Sequence, residues 1–194
     1  MLNNYKNVMA WLSIILAASL IAISCNSDDT QKEKPQAQQV VHIDPASAPL
    51  FPSQKKAVAT DFSAKLTNGE IFQLSKHKGQ VVIINVWATW CSPCHTETPD
   101  FVELYKEYAD KGLEIIGVSM DEQGKSVVQP FVEKYNVNYP ITIDRTGKIT
   151  DKYGADMGIP TTYIIDPAGH LKYFAIGPLT KKELEPRIRK MLDV

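Results

Sequence analysis

Residues 81–94 read VVIINVWATWCSPC, and this stretch decides the fold. Its first seven residues are apolar except for Asn85, which is typical of a parallel strand buried on both faces. Cys91 and Cys94 follow, and an amphipathic helical pattern begins directly after them. Two cysteines with this spacing can close a small disulfide ring, and the start of a helix favours the thiolate form of the first sulfur. The stretch therefore predicts a redox-active pair at a strand-to-helix junction.

The cysteine count supports a chemical role for this pair. The chain of 194 residues has three cysteines, and the third, Cys25, lies close to the N-terminus. A disulfide between Cys91 and Cys94 closes too small a loop to stabilise a domain. We therefore expect this disulfide to take part in a reaction.

The N-terminus carries an export pattern. Lys6 is followed by the uncharged apolar run Val8 to Ile23, which is short for a bilayer span and long enough for the core of a signal peptide. Cys25 comes directly after Ser24, an arrangement that resembles the lipid-modified cysteine of a bacterial lipoprotein signal. The alternative is an uncleaved N-terminal anchor. Both interpretations place the rest of the chain outside the cytoplasmic membrane.

The sequence predicts three segments: a signal peptide at 1–24, a lipid-anchored flexible linker at 25–57 and a folded domain at 58–194. The linker is polar and interrupted by prolines, so it cannot bury a core. The domain alternates strand and helix patterns and begins with a hairpin that turns at Asn68-Gly69. This order predicts an α/β fold, in which a central mixed sheet is flanked by helices and carries an N-terminal hairpin and a central insertion.

The helix after the cysteines suggests a role for each of three side chains. Cys91, Cys94 and Glu97 recur at a spacing of three residues and so share one side of a helix. Cys91, at the open end, is the predicted nucleophile, and Cys94, one turn further in, is the predicted resolving cysteine. A partly buried Glu97 with a raised pKa can accept the proton that Cys94 must lose.

Residues 86–94, VWATWCSPC, resemble the active site of the thioredoxin superfamily. Residues 158–166, GIPTTYIID, resemble the cis-proline loop that faces the cysteines in that fold. The resemblance covers essentially all of 58–194 and implies a thioredoxin-like fold. It also implies that the substrate-binding residues are Trp90, Pro93, Ile159, Pro160 and Thr161.

Within the superfamily the chain is most similar to TlpA-like membrane-tethered thiol–disulfide oxidoreductases, including the reductases of cytochrome c maturation. Thioredoxin itself carries a buried aspartate where this chain has Asn85. The TlpA-like group carries instead a glutamate that matches Glu97, and its central insertion matches Asp121 to Tyr139. The resemblance thus supports the role of Glu97 as proton acceptor.

Three other functions compete with this interpretation. Residues 91–95 match the C-x-x-C-H pattern of haem attachment, although a strand running into the pair and a cis-proline-like loop are not cytochrome features. A peroxiredoxin-like peroxidase would need a proline and a threonine where the chain has Ile84 and Ala88. A zinc site would need more ligands than Cys91, Cys94 and His95 can supply together. We therefore expect neither a metal nor a cofactor.

The sequence therefore predicts an extracytoplasmic, membrane-tethered thiol–disulfide oxidoreductase that reduces disulfides of partner proteins, with apocytochrome c as one candidate substrate. A disulfide oxidase or isomerase is the alternative. The expected partners are a disulfide-containing substrate protein, a membrane thiol protein that donates electrons, and the membrane itself. The net charge of −1 and the lack of a basic face argue against nucleic acid. The predicted location is the cell envelope, facing the periplasm or the outer cell surface.

Overall fold

The computed structural model describes residues 51–52 and 57–194. The predicted signal peptide, Cys25 and most of the predicted linker lie outside these residues. Among the residues described, no helix is long and apolar enough to cross a membrane.

The described chain alternates strands with helices. Its strands are β1 (Phe51–Pro52), β2 (Ser63–Lys65), β3 (Ile71–Gln73), β4 (Val81–Trp87), β5 (Leu113–Ser119), β6 (Ile141–Ile143), β7 (Thr161–Ile165) and β8 (Leu171–Ile176). Its α-helices are α1 (Ser92–Tyr108), α2 (Lys125–Tyr135), α3 (Thr150–Tyr153) and α4 (Lys181–Leu192). Single turns of 3-10 helix occupy Leu74–His77, Ala109–Lys111 and Ala155–Met157.

The strands form one mixed sheet and one separate hairpin. The sheet has the order β1-β8-β7-β4-β5-β6, and the hairpin pairs β2 with β3. Strands β4, β5 and β6 are parallel to one another, whereas β7 is antiparallel to β4 and to β8. All seven residues of β4 are buried, because this strand lies in the middle of the sheet and is covered on both faces. The strand that leads into the cysteine pair is therefore held from both sides.

Two apolar clusters cover the two faces of the sheet. One packs α1, α2 and α4 against alternate residues of β4, including Val81, Ile83 and Trp87. The other packs the hairpin and the region around α3 against Val82 and Ile84. The alternation follows from the period of two along a strand, which sends neighbouring side chains to opposite faces. Asn85 therefore points to the same face as α1.

The predicted architecture, with its hairpin and central insertion, is confirmed. The hairpin turns through Asn68-Gly69, and Gly69 takes a φ of 96°, which a residue with a side chain rarely adopts. The last helix begins with a capping box formed by Thr180 and Glu183. Pro186 lies inside that helix, which begins at Lys181.

Helix α3 was not expected from the sequence, because its four residues are too few to show a helical repeat. Its start is instead fixed by the carboxylate of Asp144, which accepts hydrogen bonds from the backbone N–H groups of Ile149 and Thr150 at 2.7 and 2.9 Å. A carboxylate at a helix start satisfies backbone donors that have no partner within the helix. This short helix leads into the loop that contains Pro160.

Candidate active site

The cysteine pair sits at the junction between β4 and α1. Cys91 is the residue that caps α1, and its Sγ accepts a hydrogen bond from the backbone N–H of Cys94 at 3.3 Å. The two sulfurs form a disulfide with a Cα–Cα separation of 5.3 Å. Cys91 is 4% exposed and Cys94 is fully buried. The first cysteine thus lies at the positive end of the helix and is the more accessible of the two, as a nucleophile requires.

Glu97 lies one turn beyond Cys94 on α1 and is 2% exposed. Its Oε1 accepts a hydrogen bond from Nδ2 of Asn85 at 2.8 Å, and its Oε2 accepts one from the backbone N–H of Leu179 at 3.0 Å. Burial raises the pKa of Glu97 to about 8, and the two hydrogen bonds act against this rise. A carboxyl group with this pKa exchanges its proton near neutral pH, as a general acid or base must.

Asn85 connects Glu97 to the sheet. Its Nδ2 donates a second hydrogen bond, of 3.1 Å, to Oγ1 of Thr162 on the neighbouring strand β7. Because Nδ2 of Asn85 can only donate hydrogen bonds, it acts as a donor to the carboxyl group of Glu97. This bridging role of Asn85 was not predicted from the sequence. A polar residue in an otherwise apolar strand was the available signal, because a buried polar group needs a partner.

The loop before β7 contains the one cis peptide bond of the described residues, between Ile159 and Pro160. Thr161 pairs with Val86 in the antiparallel register of β4 and β7. Since β4 ends one residue later, this pairing places Pro160 beside the end of the strand from which the cysteine turn emerges. The two segments that resemble the thioredoxin superfamily therefore come together at one edge of the sheet.

The predicted substrate-binding residues differ in accessibility. Trp90 is 67% exposed and Pro93 is exposed, while Ile159 is partly buried and Pro160 is buried. Thr161 is 1% exposed, and its Oγ1 donates to the carbonyl of Gly158 at 2.6 Å. Its side-chain hydroxyl is thus bonded within this loop.

Met157 adds an apolar surface that the sequence analysis missed. It is 67% exposed and ends the 3-10 turn that precedes the cis-proline loop. An exposed large apolar side chain is unremarkable by itself. It lies two residues before Ile159 in the chain, close in sequence to the predicted substrate-binding loop.

His95 follows Cys94 and is half-buried, with both ring nitrogens hydrogen-bonded. Nε2 lies 2.7 Å from the carbonyl oxygen of Thr89, and Nδ1 lies 2.7 Å from the hydroxyl of Tyr135. Neither nitrogen is free to ligate an iron atom. The haem-attachment pattern at 91–95 therefore lacks a usable histidine.

Thr89 also connects the cysteine turn to a buried carboxylate. Asp121 is fully buried and accepts hydrogen bonds from the backbone N–H and the Oγ1 of Thr89 at 3.0 and 2.6 Å. Oγ of Ser119 donates to the same carboxylate at 2.8 Å. The sequence predicts no role for Asp121 beyond its place at the start of the insertion. This buried carboxylate accepts three hydrogen bonds, so its oxygens are satisfied and the groups that donate to it are held in place.

Other parts of the described chain offer no metal centre, since no cluster of three or more His, Cys, Asp or Glu side chains is present there. Cys25, the predicted lipidation site, lies outside the described residues.

The AhpC/TSA family profile matches residues 54–174 of this chain. The chain belongs to the AhpC/TSA family. This chain is 41% identical over 137 residues to the thioredoxin-like protein YneN of Bacillus subtilis, an alignment covering 70% of this chain and 79% of YneN. It is 40% identical over 131 residues to the thiol-disulfide oxidoreductase ResA of Oceanobacillus iheyensis, covering 66% of this chain and 67% of ResA.

A protein of solved structure has the same fold as this chain. It is a thiol:disulfide interchange protein of the thioredoxin family from Chlorobium tepidum, with a TM-score of 0.65 and 28% identity. The likeness covers 72% of this chain and 99% of that protein. Together with the Cys91–Cys94 disulfide, these relatives identify this chain as a TlpA-like thiol–disulfide oxidoreductase with a thioredoxin-like fold.

Proposed function

We propose that this protein is an extracytoplasmic, membrane-tethered reductase of disulfides in partner proteins. The observation that carries the proposal is the buried Glu97, held by Asn85 on the helix that bears both cysteines. Its pKa of about 8 suits proton exchange with the resolving cysteine near neutral pH. An enzyme that must release a reduced substrate depends on this step.

The reaction has two exchange steps. The thiolate of Cys91 attacks a substrate disulfide, so that one substrate sulfur leaves as a thiolate and the other is held in a mixed disulfide. Glu97 then takes the proton of Cys94, and the resulting thiolate attacks the sulfur of Cys91. The second substrate sulfur leaves, the Cys91–Cys94 disulfide forms, and the substrate has gained two electrons.

The oxidised enzyme must then be reduced again. In a compartment that is kept oxidising, the electrons have to come from a dedicated thiol protein. We propose a membrane protein with a reduced cysteine pair as the donor, because the apolar run from Val8 to Ile23 and the cysteine at 25 fit a chain that is exported and held at the membrane.

Two classes of substrate fit this chemistry. Apocytochrome c has a cysteine pair that must be reduced before haem attaches, and the resemblance to reductases of cytochrome c maturation supports it. Exported proteins with incorrect disulfides form the second class. The exposed Trp90 beside Cys91 offers an apolar contact that does not favour one of these two substrate classes over the other.

The reductase proposal is tested by insulin reduction with dithiothreitol as the electron source. The wild type should accelerate precipitation of the insulin B chain, and Cys91→Ser should abolish the acceleration because the attacking sulfur is missing. Equal activity of the two proteins would contradict the proposal. His170→Leu, which alters a partly buried histidine in the turn before β8, is the matched control and should retain full activity.

The direction of the reaction is decided by the reduction potential of the Cys91–Cys94 pair, measured against glutathione. A value near that of thioredoxin, about −270 mV, supports a reductase, whereas a value near −120 mV indicates an oxidase. Consumption of hydrogen peroxide at a rate comparable with insulin reduction would indicate a peroxidase. A Cys94→Ser variant, which cannot resolve the mixed disulfide, should retain the natural substrate on Cys91 for identification by mass spectrometry.

A further inference from the structure

The segment that carries the redox pair is closed by a hydrogen bond that spans it. His95, directly after Cys94, reaches back to the carbonyl oxygen of Thr89, two residues before Cys91, at 2.7 Å. The four-residue ring from Cys91 to Cys94 lies between these two anchor points. The side chain of His95 therefore ties the two ends of the redox segment together.

The chemistry of the two partners assigns the protons of this imidazole. A carbonyl oxygen can only accept, so Nε2 of His95 must carry the hydrogen that is donated to Thr89. In the neutral ring Nδ1 is then an acceptor, and the hydroxyl of Tyr135 donates to it at 2.7 Å. Both nitrogens are satisfied, which fixes the orientation of the ring.

Tyr135 comes from α2, in the middle of the insertion, and aromatic contacts hold it in place. Its ring centroid lies 4.6 Å from that of Phe131, and the His95 ring meets Phe131 at 5.0 Å and 70°. Phe131 in turn packs on Trp87, the last residue of β4, at 4.4 Å. The imidazole thus packs against the rings of Phe131 and Tyr135, and packing of this kind limits its rotation.

The other end of the segment is held independently of His95. The N–H and the hydroxyl of Thr89 both donate to the buried carboxylate of Asp121, which follows β5. Thr89 is therefore held in place. The hydrogen bond from Nε2 of His95 to its carbonyl oxygen then holds His95 and the first turn of α1 in place as well. A histidine bonded to a mobile loop would have no such effect.

We propose that His95, oriented by Tyr135, is a positioning residue that holds the sulfur of Cys91 on the N–H group of Cys94 and at the start of α1, and so raises the reactivity and the reduction potential of the pair. The proposal rests on the redox role of Cys91 and Cys94. It holds whether the pair works as a reductase or as an oxidase.

The direction of the effect follows from the thiolate. In the reduced enzyme the negative sulfur of Cys91 is stabilised by the N–H of Cys94 and by the helix dipole, provided that the turn keeps its geometry. Loss of the bond from His95 to Thr89 loosens the turn and weakens both interactions. The reduced form becomes less stable relative to the disulfide, so the potential becomes more negative and Cys91 reacts more slowly at pH 7.

The test uses the full chain with three substitutions. His95→Leu removes both hydrogen bonds, and Tyr135→Phe removes only the hydroxyl that orients the ring. His95→Gln keeps an N–H donor near the position of Nε2. Iodoacetamide alkylation of Cys91 is followed at pH 7 by fragment-ion mass spectrometry, which separates it from Cys25 and Cys94, and the reduction potential is measured against glutathione.

His95→Leu should slow alkylation of Cys91 by about tenfold and Tyr135→Phe by about threefold, and both should make the potential more negative. His95→Gln should lie close to the wild type. Tyr105→Phe is the matched control, because this tyrosine is bonded to Glu114 away from the cysteines and should change neither value. The proposal would be overturned if Tyr135→Phe and His95→Leu both kept the wild-type alkylation rate and reduction potential. It would also be overturned if His95→Gln slowed alkylation of Cys91 as much as His95→Leu does.

Discussion

Glu97 shows how the surroundings of one residue define its chemistry. It is an ordinary helical glutamate in sequence, yet its carboxyl group is buried between the amide of Asn85 and the backbone of Leu179. Burial disfavours the charged form and raises its pKa to about 8. At neutral pH this carboxyl group can therefore both hold a proton and release one.

Replacing Glu97 by Gln should separate the two exchange steps. The variant cannot take the proton of Cys94, so release of a substrate from the mixed disulfide should slow by on the order of 10²-fold, while alkylation of Cys91 stays close to wild type. In the wild type the ionised fraction of Glu97 grows as the pH rises towards 8, so release should accelerate up to this pH and then level off. Stopped-flow kinetics with a fluorescent mixed disulfide measures both effects.

The matched control for this substitution lies on the same helix. Glu103 is exposed on α1, and Glu103→Gln should leave the release rate and its pH profile unchanged. A pH profile of Glu97→Gln that coincides with that of the wild type would contradict the role of Glu97 as proton acceptor.

At the scale of elements, the approach of β5 to its neighbours depends on one glycine. A Cβ atom at Gly117 would lie 2.5 Å from Cδ1 of Ile141, 2.9 Å from Nε1 of Trp87 and 3.3 Å from Cε2 of Tyr139. These distances are shorter than a normal van der Waals contact. The glycine thus provides the space in which Trp87 packs against Phe131, whose ring also contacts His95.

Gly117→Ala should destabilise the protein by about 1–3 kcal/mol, because an added methyl group overpacks this part of the core. The measurement is urea unfolding of the oxidised protein. Ile141→Val removes the methyl group nearest to the new Cβ, so the double variant should recover part of the loss. If the two substitutions change the free energy of unfolding additively, the contact between the new Cβ and Ile141 does not cause the destabilisation.

At the scale of the whole molecule, the redox site is assembled at one edge of the sheet from segments far apart in sequence. The carboxyl ends of β4 and β5 bring Thr89 and Asp121 together, and the antiparallel pairing of β7 adds Pro160. All of these residues lie within 57–194. The chemistry should therefore be independent of the N-terminal segment that we propose as the membrane tether.

Cys25→Ser should move the protein from the membrane fraction of the cell to the soluble fraction, because the lipid attachment site is lost. Insulin reduction by the purified variant should equal that of the wild type, since the redox site lies in the described domain. Retention of Cys25→Ser in the membrane fraction would favour an uncleaved N-terminal anchor over a lipoprotein. Cell fractionation with immunoblotting measures how the protein is distributed between the membrane and soluble fractions.

The sequence determined the order of the elements and the identity of the redox pair. The apolar run at 81–87, the spacing of Cys91, Cys94 and Glu97, and the motif around Pro160 are local patterns, and local patterns are readable because strands and helices have fixed periods. Helix α3 was missed because four residues carry no period.

Only the tertiary structure decided which groups surround these residues. Asn85 donates to Glu97, Asp121 holds Thr89, and Tyr135 orients His95 through contacts between residues 12, 32 and 40 positions apart in the chain. Such contacts depend on strand pairing and on the packing of α2 against the sheet, which no local pattern encodes. They decide that His95 is a hydrogen-bonded part of the redox turn, because its two nitrogens find their partners only after the chain has folded.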